Sequence, residues 1–147
     1  MILDQRTQFC AATALNTGAA GSTLLGNVID LGRAGLDLGG GEPLWLVIQV
    51  AATATSAGAA TAAFKLASDA QAAIATDGSA SIHLVTDPQP VASLTAGKRV
   101  CVLALPPGRY ERYLGLLQLT ATAAFTGGAI NAFLTTAPEA WQAAADA

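Results

Sequence analysis

The chain has 147 residues and a net charge of −3, with a sequence pI near 4.8, enough for one domain that buries roughly two-thirds of its unfolded surface. Hydrophobic residues make up 52% and charged residues 12%, against a usual charged share of about a quarter, so some of the outside is expected to lie under a partner. The Lys and Arg residues are scattered apart from Arg109 and Arg112, which leaves no basic patch for nucleic acid, and no run approaches the ~18 apolar residues of a membrane span.

The opening "MILDQRTQF" has Asp4 where a signal peptide would need an apolar core, so synthesis in the cytoplasm is expected. Ile2, Leu3, Arg6 and Phe9 fit either an arm that reaches a neighbour or a first strand of the domain. "AATALNTGAAGSTLLG" (11–26) is small and Gly-rich, and reads with the preceding residues as an extended arm over 1–26. "NVIDLG" (27–32) reads as a strand. "GRAGLDLGGGE" (32–42) lacks the Gly-Lys-Ser/Thr ending of a phosphate loop and precedes a strand, so it reads as a connection.

Alanine abundance favours helix by propensity, but the spacing favours strand. In "EPLWLVIQVAATAT", Leu44, Leu46, Ile48 and Val50 alternate with Trp45, Val47 and Gln49. Trp45 faces away from Leu44 and Leu46 and is either core or an anchor for a partner. "TAAFKLAS" (61–68), "SIHLVT" (81–86) and "KRVCVLAL" (98–105) follow the same pattern between clusters such as Thr76-Asp77-Gly78 and Asp87-Pro88. "LASDAQAAIATDG" (66–78) suits a strand, a helical turn or a mixture.

Pro106-Pro107-Gly108 marks a reversal, after which Arg109, Tyr110, Arg112 and Tyr113 open a long strand. Tyrosine beside arginine is enriched in interfaces, though tyrosine at a strand start also anchors its own domain. Gly127-Gly128 suits a two-residue hairpin turn, setting Phe125 opposite Ile130, Ala123 opposite Ala132 and Ala121 opposite Leu134. Residues 138–147 form a tail too short to hold a helix unaided, with Trp141 as its possible dock. Many short strands with no repeat or linker predict an all-β fold, a sandwich or barrel, in one domain over 1–147.

The inventory for chemistry is thin. Cys10 and Cys101 have no CxxC and no adjacent histidine, and read as buried thiols, with a bridge between them left open. His83 is the one histidine, and a Ser-His-Asp set would need a distant serine. Asp30, Asp37, Glu42, Asp69, Asp77 and Asp87 sit in turn-like settings, with no DxDxDG spacing for calcium. The expectation is a protein with no catalytic residues, no cofactor and no metal site.

Taken in order, "MILDQRTQF", "NVIDLG", "GEPLWLVIQV" (41–50), "TSAGAAT" (55–61), "PPGRYERYLGL" (106–116) and "FTGGAINAFLT" (125–135) resemble the capsid cement, or decoration, proteins of Bordetella-type short-tailed bacteriophages. The resemblance implies a jelly-roll domain on the outer surface of an assembled virion shell. There it would bridge neighbouring major capsid subunits, self-associated as a homodimer in the family's manner, without enzyme activity, nucleic acid or membrane. Ile2, Leu3, Arg6, Phe9, Trp45, Arg109, Tyr110, Arg112 and Tyr113 are the interface candidates. A carbohydrate- or receptor-binding jelly roll of a virion is the alternative, and it would need exposed aromatics from a chain that is 5% aromatic. A hydrolase would need His83 and a carboxylate converging in a concave pocket.

Overall fold

The computed structural model describes residues 5–138. A 3₁₀ turn at Gln5–Thr7 leads into β1 (Gln8–Ala14), β2 (Gly21–Asp30), β3 (Trp45–Ser56), β4 (Thr61–Asp69), β5 (Ser81–Val85) and the two-residue β6 (Gln89–Pro90). A second 3₁₀ turn (Val91–Ser93) precedes β7 (Arg99–Ala104), β8 (Tyr113–Ala121) and β9 (Phe125–Thr135). No α-helix occurs among the described residues, and the Ala-rich stretches are strand because alternation allows one face to be buried.

Two antiparallel sheets form. One has the order β1-β9-β3-β7, and the other β2-β8-β4-β5 with β6 beside the start of β4. Apart from β4 to β5 and the short β6, each step along the chain crosses between sheets, and early strands are interleaved with late ones. That nesting of two Greek keys is a jelly roll, so the sequence-based fold class holds.

The inner faces supply the core. Leu46, Ile48, Val50, Ile130, Ala132 and Leu134 from the first sheet meet Ala62, Phe64, Leu66, Leu114 and Leu116 from the second. Fully burying a leucine or phenylalanine contributes about 1.5–3 kcal/mol, so this seam is the main source of stability. The second sheet is also covered outside, where Ile74 packs on Ala67, Ala80 and Leu117. Residues 66–69 of the ambiguous 66–78 segment finish β4. The rest is a loop turned by Asp69, whose carboxylate accepts from the amides of Gln71 (3.2 Å) and Ala75 (3.0 Å).

Three expectations are corrected. Residues 8–26 are not an arm, because β1 and most of β2 are sheet strands and Phe9, Cys10, Leu15 and Leu25 lie in the core. Gly127-Gly128 is not a hairpin turn, because both glycines lie inside β9, which pairs with β3 through Ala52↔Ala129 and Thr55↔Gly127. β3 has one more residue than β9 across that interval, so the glycines accommodate a bulge. The reversal lies at Thr122, with φ of 72°, where the Ala123 amide donates to the Ala121 carbonyl at 2.8 Å. Cys10 and Cys101 are free thiols on the two outer strands of one sheet, roughly 14 Å apart at the usual strand spacing and too far to bridge. Burial pushes both thiols up to about 11.

Gly128 has a φ of 120°, and a Cβ there would stand 2.8 Å from Ala54 Cα. Gly128→Ala is expected to lose about 3 kcal/mol from backbone strain and overpacking. Thr122 stands at a positive φ that a β-branched residue resists, so Thr122→Gly is expected to gain about 1 kcal/mol. Urea unfolding of both variants checks the opposite signs.

Candidate interaction surface

Antiparallel neighbours begin and end together, which decides where the candidates gather. Asp30 pairs with Tyr113 and Tyr113 with Asp69, so β2, β8 and β4 share an end. Trp45 pairs with Ala104 and Thr135 at the matching end of the other sheet, and the 105–112 connection joins the two. Arg6, Trp45, Arg109, Arg112 and Tyr113 therefore lie at one end of the sandwich, with the 31–44 and 70–80 loops.

Tyr110 organises that end. Its ring is 1% exposed, and its hydroxyl donates to the Pro106 carbonyl at 2.7 Å, closing the Pro-Pro-Gly reversal. Its amide donates to Leu36 O at 2.9 Å while its carbonyl accepts from Gly35 at 2.8 Å, which fastens the 31–44 loop to the 105–112 loop. Leu31 adds a bond to the Arg112 carbonyl, and Asp37 Oδ1 accepts from Gly108 at 3.1 Å and Gly39 at 3.2 Å. Burial first, and the charge of Asp37 second, push the phenol up to about 12.

Behind Tyr110 stands the lone histidine. The His83 ring stacks on the Tyr110 ring with centroids 3.9 Å apart and planes 21° from parallel. Its Nε2 shares a 2.7 Å hydrogen bond with Ser68 Oγ, which accepts the Glu111 amide at 3.0 Å. Ser81 Oγ donates to Glu111 Oε1 at 2.6 Å. Burial holds the imidazole below its ordinary value, partly opposed by the Glu111 charge. A serine, a histidine and a carboxylate do meet here, but Ser68 is 0% exposed and the Glu111 carboxylate is held by Ser81 rather than by the imidazole. The cluster ties β4, β5 and the 105–112 loop together.

The exposed rim carries the arginines. Arg112 grips Asp30 with two bonds, Nε to Oδ1 at 2.9 Å and Nη2 to Oδ2 at 3.0 Å, while its Cζ lies 5.1 Å from the Tyr113 ring centroid. That grip, aided by the Gly32 amide, holds the Asp30 carboxyl below the usual range. Both side chains are 47% exposed, so the pair orients Arg112 more than it stabilises the fold. Arg6 lines a cleft of about 540 Å³ with Gln8, Asn27, Val28, Ile29 and Asp30. Arg33 and Arg109 are exposed on the two joined loops.

Of the sequence candidates, Arg109 and Arg112 are exposed at this end and Arg6 is exposed beside it, while Trp45 and Tyr113 are half-buried. Phe9 (0%) and Tyr110 (1%) are corrected, since both are enclosed by their own chain and offer a partner no surface. Ile2, Leu3 and Trp141 lie outside the described residues. Sequence reading missed Ser68 and Glu111, and the available signal was a serine continuing the apolar inner face of β4. Among the described residues no three His, Cys, Asp or Glu side chains gather to hold a metal ion.

A comparison with protein-family models matches residues 9–134 to Bbp16, a name that points to a Bordetella phage protein. No curated protein matches the chain.

Tyr110→Phe is expected to cost about 1 kcal/mol for the lost Pro106 bond, read by urea unfolding. The depressed His83 favours the neutral ring in the folded state, so its contribution is full above the ordinary histidine value of about 6.5 and is lost as pH falls below it. Stability measured from pH 7.5 downward should therefore show an acid-side decline that His83→Gln reduces.

Proposed function

The chain belongs to the Bbp16 family, and from that membership we propose that it is a capsid cement protein, which binds the outer surface of an assembled phage shell and bridges neighbouring major capsid subunits. The family match over 9–134 carries the reading, because it takes in every strand from Phe9 to Leu134 rather than one motif. The chain would act as a homodimer, without cofactor or catalysis.

The geometry supports a passive role. Loops fastened by Tyr110 present the rim arginines on a fixed frame, so little loop entropy is lost on docking. Many copies on a symmetric lattice convert modest contacts into firm attachment, and sites formed only by adjacent subunits make binding stabilise the mature shell. The sugar-binding reading has less support, because every aromatic side chain among the described residues is buried or half-buried and none offers an open stacking platform.

Quantitative mass spectrometry of purified particles is expected to find this chain in a fixed ratio to the major shell protein. Deleting its gene should yield particles that break at lower temperature or force. Absence from particles, or only a few copies in each, overturns the cement role.

A further inference from the structure

The two long sides of the sandwich differ. On one, β1 and β2 are successive strands packed together, which closes the gap between the sheets. On the other, β5 and β7 are the outer strands of their sheets, and a groove of about 290 Å³ runs between them. Val85, Thr86, Asp87 and Gln89 form one wall, and Val100 to Leu103 the other. Among the described residues the exposed large hydrophobics are Val85 (55%), Ile82 (41%) and Leu103 (40%), all on these two strands.

Outer strands are normally blunted by charge, proline or a covering element. β5 reads Ser-Ile-His-Leu-Val with no charge, and β7 has none after Arg99. Both therefore present backbone donors and acceptors beside uncovered apolar side chains, a combination that suits strand addition. Resting on the cement reading above, we propose that this groove receives an extended segment of the shell protein, uncharged in its middle, paired to the β7 backbone with alternate apolar side chains on Val85 and Leu103.

The occupant follows from charge. The walls are neutral except for Asp87, so a charged residue in the middle of the segment would be desolvated without a partner. At the β7 start Lys98 meets no carboxylate among the described residues, its Nζ reaching Gln89 Oε1 at 3.5 Å, and an acidic residue at that end of the segment would complement it.

The test uses the full chain and particles purified from phage lacking its gene. Co-sedimentation of wild-type chain is expected, with Val85→Lys/Leu103→Glu binding at least about ten-fold more weakly while its thermal midpoint stays within a few degrees, since both positions are exposed. Hydrogen exchange over residues 98–105 should be partly fast in the free chain and slow on particles. Unchanged binding by the double variant overturns the groove and leaves the cement reading standing. Protection already present in the free chain overturns it in favour of the chain's own tail if it vanishes on truncation after Pro138, or of a second copy if it vanishes on dilution. Wild-type chain that stays in the supernatant overturns both readings.

Discussion

The two inner faces pack only if every strand keeps its parity, because a slip of one residue turns a whole set of side chains from core to solvent. Phe64, Leu66, Leu114 and Leu116 on one sheet and Leu46, Ile48 and Ile130 on the other are all fully or almost fully buried, so that parity is strongly held. It is held despite register shifts in most of the strand pairs, including β1 with β9 and β3 with β9. Several of the shifts fall at small residues such as Ala12, Ala52 and Gly127, where the backbone can bend without losing a large core contact. Strand ends then fall where loops can meet, and the Tyr110 knot is a consequence of that seam.

Much of the fold was legible because alternation survives in β3, β4 and β7, where Ile48, Phe64 and Cys101 mark the buried face. The first strand and the start of the second, before the 27–30 stretch that the sequence did mark as strand, were hidden by composition. In "QFCAATA" and "GSTLLGNVID" the side chains are small, and Ala12 at φ 48° and Gly26 at φ 65° break the alternation. Gly127-Gly128 was misread for a related reason: paired glycines serve a turn and a bulge equally well locally, and the choice is made by β3, more than 70 residues earlier in the chain. The candidate surface was half legible. Arg109 and Arg112 stand out because charge is scarce here, whereas Ser68, His83 and Glu111 become neighbours only when β4, β5 and the 105–112 loop are brought together.

The alanine content acquires a structural meaning in this frame. Ala60, Ala62 and Ala132 are fully buried in the same core as the larger Phe64, Phe125 and Tyr110. Pairing large with small lets a 147-residue chain close two sheets over one core without an α-helix among its described residues. It also leaves a surface poor in charge, so the few exposed guanidinium groups and the uncovered strand edges stand out.

The ends and the sides of this molecule differ in what the chain itself leaves unbonded. At the Tyr110 end the backbone is already bonded, Leu36 to Tyr110 and Gly108 to Asp37, and only side chains such as Arg109 are left to adjust. A partner meeting that end finds a shape fixed in advance, which favours selecting a particular spacing of neighbours. At the β5/β7 side the backbone itself is the unfinished part, and a partner strand would complete it whatever its side chains, within the limit set by Val85 and Leu103. A bridging protein benefits from both, since a rigid end reads geometry while an open edge supplies hold that tolerates sequence drift in the partner. On the proposed cement role, that division would put recognition and attachment on separate surfaces, joined through the one core that fixes their relative position.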